Sequence, residues 1–364
     1  MSGFEVGAVP ATPALVVSLP RLERNIGRMA EAARAGGFAL RPHAKTHKCP
    51  QVAERQLAAG AVGLTVATIG EAEVFAAAGM PDLFIAYPLW LDEGKRRRLT
   101  RLAERARVSV GIDSVENARQ VAGTGAHAVV EVDSGQHRTG VAPGEAGALA
   151  RAATALGLTV DGVFTFPGHA TAWQEGAAAA RVRETGARDQ DAALATAAQS
   201  LRDAGVSPKV ISGGSTPTAG LWHPGPINEL RPGVYVFNDA MQIALGTCGL
   251  ADVALWAAAT VVSVPAADRF VVDTGSKVLG ADANAWAPGF GLLPAFPGAR
   301  VSLLSEHHAV VRLPEGMATP GHGDRVAVIP NHVCNAVNQA DELIVLDEGR
   351  HVGTWPVAAR GANG

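Results

Sequence analysis

The sequence has few of the features that assign a chain to a class at first reading. Its three cysteines, Cys49, Cys248 and Cys334, are odd in number and far apart, so no disulfide framework is expected and a reducing cytoplasm is the predicted location. No apolar run approaches the ~20 residues of a membrane span, and residues 1–20 lack the basic start and apolar core of a secretory signal. We therefore expect no membrane partner.

Neither sign of charge is in excess. The 364 residues include 31 Lys and Arg against 34 Asp and Glu, a formal net charge of −3, which gives no electrostatic reason to expect a nucleic-acid partner. Charged residues make up 18% and hydrophobic residues 48% of the chain, as in a well-packed globular protein. The length exceeds one ordinary core, so two domains, or a barrel with an appendage, are expected.

Short apolar segments alternate with amphipathic helical segments over the first two thirds of the chain. Alternation of this kind implies parallel strand pairing, and eight strands imply a closed (β/α)8 barrel of the TIM type. A further strand at 14–19 precedes the eight and is interpreted as an outer strand. The eight predicted barrel strands are residues 39–42, 63–67, 83–86, 108–112, 128–133, 160–166, 209–212 and 233–237.

The pattern changes after about residue 245. Helical periodicity nearly disappears, and β-rich segments separated by glycine and proline follow one another to the end of the sequence. This texture predicts a second, β-rich domain. We place the barrel in residues 12–245 and the β-rich domain in 246–364, and residues 1–18 can pack on the latter.

The stretch LRPHAKTHK at 40–48, with Lys45 at its centre, follows the first predicted barrel strand. A lysine at a strand end is where such a barrel displays its chemistry. The segment holds three cations and no carboxylate, and neighbouring cations together with burial lower the pKa of a lysine that must lose a proton. A solvated basic loop that binds any anion explains the local composition equally well.

The stretch SGGSTPT at 212–218 follows the seventh predicted strand. Paired glycines let backbone N–H groups approach an anion, and two hydroxyl donors stand beside them. Because the loops after strands seven and eight are the usual phosphate site of this barrel, a phosphate site is favoured over a plain turn. The residues concerned are Gly213, Gly214, Ser215 and Thr216.

Three further candidates follow from position. Arg138, in EVDSGQHRTG, follows the fifth strand and can face a ligand with Asp133 orienting it, although a surface arginine fits as well. His169, in TFPGHA, suits a general acid or base, although a lone histidine is more often structural. His332 and Cys334, in PNHVC, share a face of an extended segment and can bind one metal ion with an open coordination sphere; the alternative is a buried cysteine beside a structural histidine.

The combination of motifs resembles a known family. LRPHAKTHK, EVDSGQHRTG, SGGST, RPGVYVFND, LSEHH and PNHVC occur in the order seen in the D-threonine aldolase and D-serine dehydratase family, within the alanine racemase-like, fold-type III class that binds pyridoxal 5′-phosphate. The resemblance runs over roughly residues 10–355. It implies a homodimer, with the β-rich domain of one subunit near the barrel mouth of the other.

The resemblance also implies a role for each candidate residue. Lys45 holds the cofactor as a Schiff base, Arg138 faces the pyridine nitrogen, and Tyr235, on the eighth predicted strand, closes the cofactor site. The phosphate is held by Gly213, Gly214, Ser215 and Thr216. His332 and Cys334 resemble the ligands of a divalent metal, Zn²⁺ or Mn²⁺, and His169 resembles the histidine near the substrate hydroxyl.

Two stretches depart from the family pattern. Ser-Glu-His-His stands at 305–308 where the family often has Ser-Glu-Glu-His, and Asn-Ala-Val-Asn stands at 335–338 in place of Pro-Thr-Val-Asn. Both lie on the expected substrate side, so they bear on specificity rather than on the assigned residues.

By this resemblance the protein is a lyase that cleaves D-threonine-type β-hydroxy-D-amino acids to glycine and an aldehyde. The alternative is D-serine dehydration to pyruvate and ammonia, which uses the same residues. A non-catalytic pyridoxal phosphate-binding protein is a more distant alternative, disfavoured by the β-rich tail and its His-x-Cys. A racemase lacks a second base here, because the only tyrosines are Tyr87 and Tyr235, both in the barrel region.

Overall fold

A computed structural model describes residues 3–171, 177–222 and 225–364 of the chain. The strands of this part are β1 (Ala14–Ser18), β2 (Ala39–Leu40), β3 (Leu64–Val66), β4 (Asp82–Pro88), β5 (Arg107–Ile112), β6 (His127–Glu131), β7 (Val160–Phe164), β8 (Val210–Gly213), β9 (Glu229–Leu230), β10 (Leu255–Ala266), β11 (Arg269–Val272), β12 (Gly291–Leu292), β13 (Arg300–Leu304), β14 (Ala309–Arg312), β15 (Arg325–Pro330), β16 (Glu342–Asp347) and β17 (Arg350–Pro356).

The α-helices of the same part lie mostly between the strands of the first sheet. They are α1 (Leu19–Ala35), α2 (Pro50–Ala58), α3 (Ile69–Ala77), α4 (Glu93–Ala103), α5 (Val115–Val121), α6 (Ala146–Ala155), α7 (Ala177–Asp203), α8 (Ala240–Ala244), α9 (Ser276–Leu279) and α10 (Val333–Gln339). None of these described helices is both long and apolar enough to cross a membrane.

The first sheet is the predicted barrel. Eight parallel strands follow the order β2-β9-β8-β7-β6-β5-β4-β3, and a parallel bridge between His43 and Thr65 joins the two ends. The N–H of Thr65 donates to the carbonyl of Pro42 at 2.8 Å across this seam. The prediction of an eight-stranded parallel barrel is confirmed, and it brings the carboxyl ends of all eight strands to one mouth.

The eighth strand was predicted in the wrong place. It is β9, Glu229–Leu230, and the predicted segment 233–237 instead forms a short 3-10 turn, Val234–Val236. Pro232 explains the difference, because it has no N–H to donate to a ladder and so ends the strand before the apolar run that follows. Tyr235 therefore lies on a turn beyond the barrel strands.

The second sheet has nine strands in the order β11-β14-β13-β12-β15-β10-β1-β16-β17. Its pairings are antiparallel except that of β1 with β16, so the predicted β-rich C-terminal unit is confirmed. Strand β1 lies between β10 and β16, and Val16 is paired with both Trp256 and Ile344. The domain boundaries drawn at residues 12 and 245 stay predictions.

The barrel and the second sheet each have an apolar core. The core of the second sheet also takes in side chains from α1 and α2. Helix α1 buries Leu22 and Ile26 there, and Tyr235 and Phe237 join the same core from the turn after β9. The barrel mouth is thereby fixed against the second sheet, and the candidate site lies between the two.

Candidate active site

Lys45 lies just after β2, in a 3-10 turn, Ala44–Thr46. The backbone N–H of Lys45 donates to Nδ1 of His43 at 3.4 Å, and the N–H of Lys48 donates to the carbonyl of Ala44 at 2.8 Å. Lys48 ends the turn with a φ of +50°, a conformation that side-chain-bearing residues seldom adopt. Its neighbours in the turn are buried, whereas Lys45 is exposed, which differs from the burial expected from the sequence.

Two cavities share Lys45, His43, Phe166 and Arg231 as lining residues. The first, of about 320 Å³, extends over the barrel mouth and also contacts Tyr87 and Arg138. The second, of about 360 Å³, runs from the barrel to the second sheet. Its further lining includes Thr46, Thr171, Ser215, Thr216, Pro217, Val234, Asp239, Met241, Leu245, Asp282, Asn284, Trp286, His332 and Cys334.

The loop that follows β8 brings Ser215 and Thr216 to the second cavity. Gly214 has a φ of +78°, and a Cβ there would lie only 2.9 Å from the side chain of Leu230, so this position requires glycine. The N–H of Gly214 donates to Gln190 Oε1 at 2.7 Å. In the predicted phosphate loop, Ser215 and Thr216 therefore face the cavity, whereas Gly213 and Gly214 lie on the side of the loop away from it.

Tyr235 meets this loop with its backbone rather than its ring. Its N–H donates to Thr216 Oγ1 at 3.1 Å, while its hydroxyl accepts a hydrogen bond from Gln56 Nε2 at 3.0 Å. Burial raises the pKa of the phenol above its ordinary value. The side chain is only 4% exposed and packs into the core of the second sheet, so it stabilises the loop from behind.

Arg138 lines the first cavity and is itself exposed. Its guanidinium carbon lies 5.6 Å from the ring centroid of Phe166, and Lys45 Nζ lies 6.0 Å from the same centroid. The expected orientation by Asp133 is wrong. The Asp133 carboxylate accepts from the backbone N–H groups of Gly135 and His137 and from the His137 ring at 2.8 Å, and so is engaged within its own turn.

Arg231 belongs to the site, although the sequence analysis did not identify it as a site residue. It is 6% exposed and lines both cavities. Its guanidinium donates to Ser212 Oγ and to the carbonyl of Thr165, each at 2.5 Å. Burial lowers its pKa to about 10, although Glu229 and Glu131 oppose the shift. The only sequence signal was its position in RPGVYVFND, where Pro232 places it at a strand end.

His169 lies beside the two cavities rather than in their lining. It lines a separate pocket of about 230 Å³ against helix α7, and its Nε2 is 3.4 Å from Asp189 Oδ2. Among the described residues neither ring nitrogen makes a hydrogen bond of good geometry. The imidazole is therefore held by packing and by one contact with the Asp189 carboxylate, and it lines neither of the cavities that contain Lys45.

His332 and Cys334 line the second cavity together with Lys45. They do not lie in an extended segment as expected: His332 is the residue before α10, and Cys334 is in its first turn. The buried carboxylate of Asp239 accepts the N–H of Val333 at 3.1 Å and starts the helix there, as acceptors at helix N-termini do. The two side chains still face one cavity together.

The surroundings of this pair favour a charged thiolate. Burial opposes charge on the His332 imidazole, but the Cys334 sulfur and the Asp282 carboxylate reverse this and raise its pKa to about 11. Burial also opposes ionisation of Cys334, yet the facing imidazole lowers the pKa of the thiol. A metal ion takes the proton's place between such groups, because it binds thiolate and neutral imidazole.

The donor set fits a divalent metal with open positions. His332 Nδ1 lies 3.5 Å from Asp282 Oδ1, and a carboxylate on one ring nitrogen leaves the other free to bind a metal. In residues 3–171, 177–222 and 225–364 no three His, Cys, Asp or Glu side chains group as a metal site. Two protein ligands leave positions for water and substrate, as a catalytic metal needs.

The lining of the cavities also fits pyridoxal phosphate. The two cavities are lined by Lys45, which extends from a buried turn, and by Arg138 and Arg231. Ser215 and Thr216 also line the second cavity, in a loop where Gly214 leaves no room for a Cβ. These are an amine for the covalent link, donors for a phosphate and cations beside an aromatic ring.

Comparison with known proteins gives matches over nearly the whole chain. The alanine racemase N-terminal domain matches residues 17–240, and a putative serine dehydratase domain matches residues 254–346. The chain is 36% identical to a D-threonine aldolase of Arthrobacter sp. over 96% of this chain and 93% of that protein. It is 32% identical to the D-threo-3-hydroxyaspartate dehydratase of Delftia sp. strain HT23 over 94% of this chain and 96% of that protein.

Solved structures give the same picture. The D-threonine aldolase from Filomicrobium marinum superposes with a TM-score of 0.84 at 32% identity, covering 96% of each chain. The Delftia sp. HT23 dehydratase superposes with a TM-score of 0.88 at 31% identity, covering 97% of this chain and 98% of that one. A cysteine-to-alanine variant of that dehydratase has been solved in a metal-free form.

Proposed function

The chain belongs to the family that joins an alanine racemase N-terminal domain to a serine dehydratase domain, and from this premise we propose that it is a lyase dependent on pyridoxal phosphate and a divalent metal. Its reaction is the cleavage of D-threonine-type β-hydroxy-D-amino acids to glycine and an aldehyde. The observation that carries the proposal is that Lys45, His332 and Cys334 line one cavity.

We assign each group a role at the two cavities. Lys45 would hold the cofactor covalently, and Ser215 and Thr216, backed by Gly213 and Gly214, would bind its phosphate. Arg138 and Arg231 would place positive charge beside the ring, with Arg138 assigned to the pyridine nitrogen. Pyridoxal phosphate, when bound, supplies an electron sink for the bond broken at the substrate Cα.

The metal pair would act on the β-hydroxyl. His332 and Cys334 would hold Zn²⁺ or Mn²⁺, and such an ion makes a bound hydroxyl easier to deprotonate or to expel. In cleavage the hydroxyl proton leaves as the Cα–Cβ bond breaks, so a base is needed at that oxygen. We assign this role to His169, which requires its imidazole to reach the cavity from the neighbouring pocket.

Dehydration is the second candidate. In that reaction Lys45 would remove the Cα proton and the β-hydroxyl would take up a proton and leave as water. Both reactions would therefore use the same residues. The Delftia relative favours it, because that protein is a D-threo-3-hydroxyaspartate dehydratase. A homodimer in the cytoplasm completes the proposal, and light scattering of the purified protein tests the oligomeric state.

Product analysis decides between the two reactions. The protein, loaded with cofactor and metal, is incubated with D-threonine or D-serine, each with and without a chelator. Aldolase activity is expected to release acetaldehyde and glycine from D-threonine, and chelation is expected to abolish it. Pyruvate from D-serine at a rate well above acetaldehyde from D-threonine would replace the aldolase with the dehydratase.

A further inference from the structure

A chain of hydrogen bonds links Arg231, which follows β9, to Asp82 at the start of β4. The Arg231 guanidinium donates to Ser212 Oγ, and the Ser212 hydroxyl donates to Glu229 Oε1 at 2.7 Å. The other oxygen of that carboxylate, Oε2, accepts from Arg41 Nε at 2.8 Å. Arg41 Nη1 donates in turn to Asp82 Oδ1 at 2.7 Å. Two arginines and two carboxylates therefore alternate along one chain, with a serine hydroxyl between Arg231 and Glu229.

The barrel strands keep most of this chain out of water. Ser212 and Glu229 are paired across β8 and β9, and both are buried, as are Arg41 and Arg231. Gly63 makes room for Arg41, because a Cβ at that position would overlap with Arg41 Nη1. A buried polar network in which every member is bonded is rigid, because the low local dielectric strengthens each of its hydrogen bonds. The chain is therefore a fixed part of the barrel.

Arg231 is the member of the chain that reaches the cavities. It lines both of them, whereas the other four members line neither. Its guanidinium carbon lies 5.7 Å from the ring centroid of Phe84 and 5.2 Å from that of Phe164, and the guanidinium also donates to the carbonyl of Thr165. Rings and hydrogen bonds together hold this planar group in one orientation.

A carboxylate at position 229 suits this chain because it accepts hydrogen bonds at both of its oxygens. A glutamine would accept at one end of its amide and donate from the other, so the bond from Arg41 or the bond from Ser212 would be lost. The change would also leave Arg41 and Arg231 buried with one carboxylate fewer beside them, and a buried charge that loses its partner is strongly unfavourable. Both the position and the charge of Arg231 therefore depend on Glu229.

We propose that Glu229 is a positioning residue that acts through Ser212 to fix the orientation and the positive charge of Arg231 beside the cofactor. The inference rests on the proposed function, because it takes the ring of pyridoxal phosphate to lie next to Arg231. Glu229 itself lines neither cavity, so its effect on the cofactor passes through Arg231.

Binding of pyridoxal phosphate to the unloaded protein tests the chain. Equilibrium dialysis is expected to show about 10-fold weaker binding for Glu229→Gln and for Ser212→Ala, within the range of couplings in one hydrogen-bonded network. The absorption maximum of the bound cofactor is expected to shift in Glu229→Gln, because charge beside the ring tunes its electronic states. Asp161→Asn removes a buried carboxylate that pairs with Arg107 and His127 at the starts of β5 and β6. It is the matched control and should change neither quantity.

A second substitution separates positioning from a general loss of structure. In protein that already carries Arg231→Ala, the further change Glu229→Gln is expected to alter cofactor affinity by less than about 2-fold, since the group through which it acts is gone. A full 10-fold loss in that protein, or wild-type affinity in either single variant, overturns the inference. If Glu229→Gln does not fold, Ser212→Ala decides, because it breaks the chain without removing a charge.

Crystal structures without cofactor separate this inference from the proposed function. In Glu229→Gln the Arg231 guanidinium is expected to leave its contacts with the rings of Phe84 and Phe164, and in Asp161→Asn it should keep them. An unmoved guanidinium in Glu229→Gln overturns the inference while leaving the lyase proposal intact. Absence of pyridoxal phosphate binding by the wild type refutes the proposed function, and the position of Arg231 in the variants still decides whether Glu229 fixes it.

Discussion

The thiol sulfur of Cys334 lies 3.3 Å from Oγ1 of Thr46, so the first turn of α10 contacts the turn that carries Lys45. A second contact joins the same two elements, because the Lys48 ammonium donates to Asn338 Oδ1 at 2.7 Å. The covalent end and the metal end of the proposed site are therefore held together at two points. Their separation is set by the docking of the two sheets.

Of these two contacts, that of Lys48 is expected to contribute more to the free energy of unfolding. Its ammonium is 3.2 Å from the Glu71 carboxylate, and both side chains are almost fully buried. Lys48→Met leaves Glu71 buried without its cation, and breaking a buried pair in this way costs about 3–5 kcal/mol of the free energy of unfolding. Urea denaturation measures this loss.

Two further variants complete that test. Lys48→Met combined with Glu71→Gln is expected to recover part of the loss, since the unpaired charge is gone. Arg97→Met removes the cation of an exposed i,i+4 pair with Glu93 and is expected to cost less than about 0.5 kcal/mol. If Lys48→Met and Arg97→Met lowered the free energy of unfolding equally, the buried Lys48–Glu71 pair would contribute no more to stability than the exposed pair.

Lys45 is expected to carry the cofactor. The loaded protein should absorb at about 420 nm, as a protonated Schiff base does, and borohydride should fix the cofactor to the chain. Lys45→Ala is expected to lose this covalent label, whereas Lys277→Ala, which removes an exposed lysine paired with Glu306, should keep it. Peptide mapping that finds the label of the alanine variant on another lysine would refute the assignment.

Metal affinity is expected to depend on His332 and Cys334. His332→Ala and Cys334→Ala should each lower metal affinity by at least about 10–100-fold, because even outer-shell changes have effects of this size. Elemental analysis after dialysis measures the bound metal. Cys248→Ala is the matched control, since burial raises the pKa of that thiol to about 12 and favours its neutral form. Undiminished activity in metal-free protein would remove the metal from the reaction.

Some of this architecture could be read from the sequence because its signals are local. Alternating strands and helices gave the barrel, and the lysine and SGGST motifs lay at its strand ends. The segment 233–237 has the apolar content of a strand, and the missing donor at Pro232 was the signal against it. The direction of the Tyr235 side chain follows from that turn and could not be predicted once a strand was assumed.

Other features depend on contacts between distant residues. Strand β1 pairs with β10 and β16, Thr46 contacts Cys334, and Asp282 pairs with His332. These contacts join segments that are tens to hundreds of residues apart in the sequence, so no local periodicity predicts them. Arg231 was visible as a residue type, but its place at the junction of two cavities appears only when β8 and β9 are adjacent.

Stability is expected to fall in mild acid because of buried histidine. His47 is fully buried, and this burial lowers its pKa from the ordinary 6.5 to about 4. Between these values the unfolded chain binds a proton that the folded chain does not, so the free energy of unfolding decreases as pH falls from 6.5 toward 4. For His47 alone the loss approaches about 3 kcal/mol. Burial and the charge of Lys45 lower the pKa of His43 in the same direction.

Denaturation at several pH values measures this effect. His47→Gln is expected to flatten the dependence between pH 6.5 and 4, whereas His351→Asn, a change at an exposed position, should leave the wild-type slope. An unchanged slope in His47→Gln would assign the acid sensitivity to other groups.

His169 provides the test that separates cleavage from dehydration. In cleavage a base must take the β-hydroxyl proton as the Cα–Cβ bond breaks, whereas exchange of the Cα proton of D-alanine involves no hydroxyl. If His169 is that base, His169→Asn lowers aldehyde release from D-threonine by roughly 10²–10⁴-fold, the usual contribution of a positioned general base. Deuterium uptake into D-alanine should fall far less, and His351→Asn should change neither rate. Equal loss of both activities would make His169 a structural residue, consistent with its present place between Gly135 and helix α7.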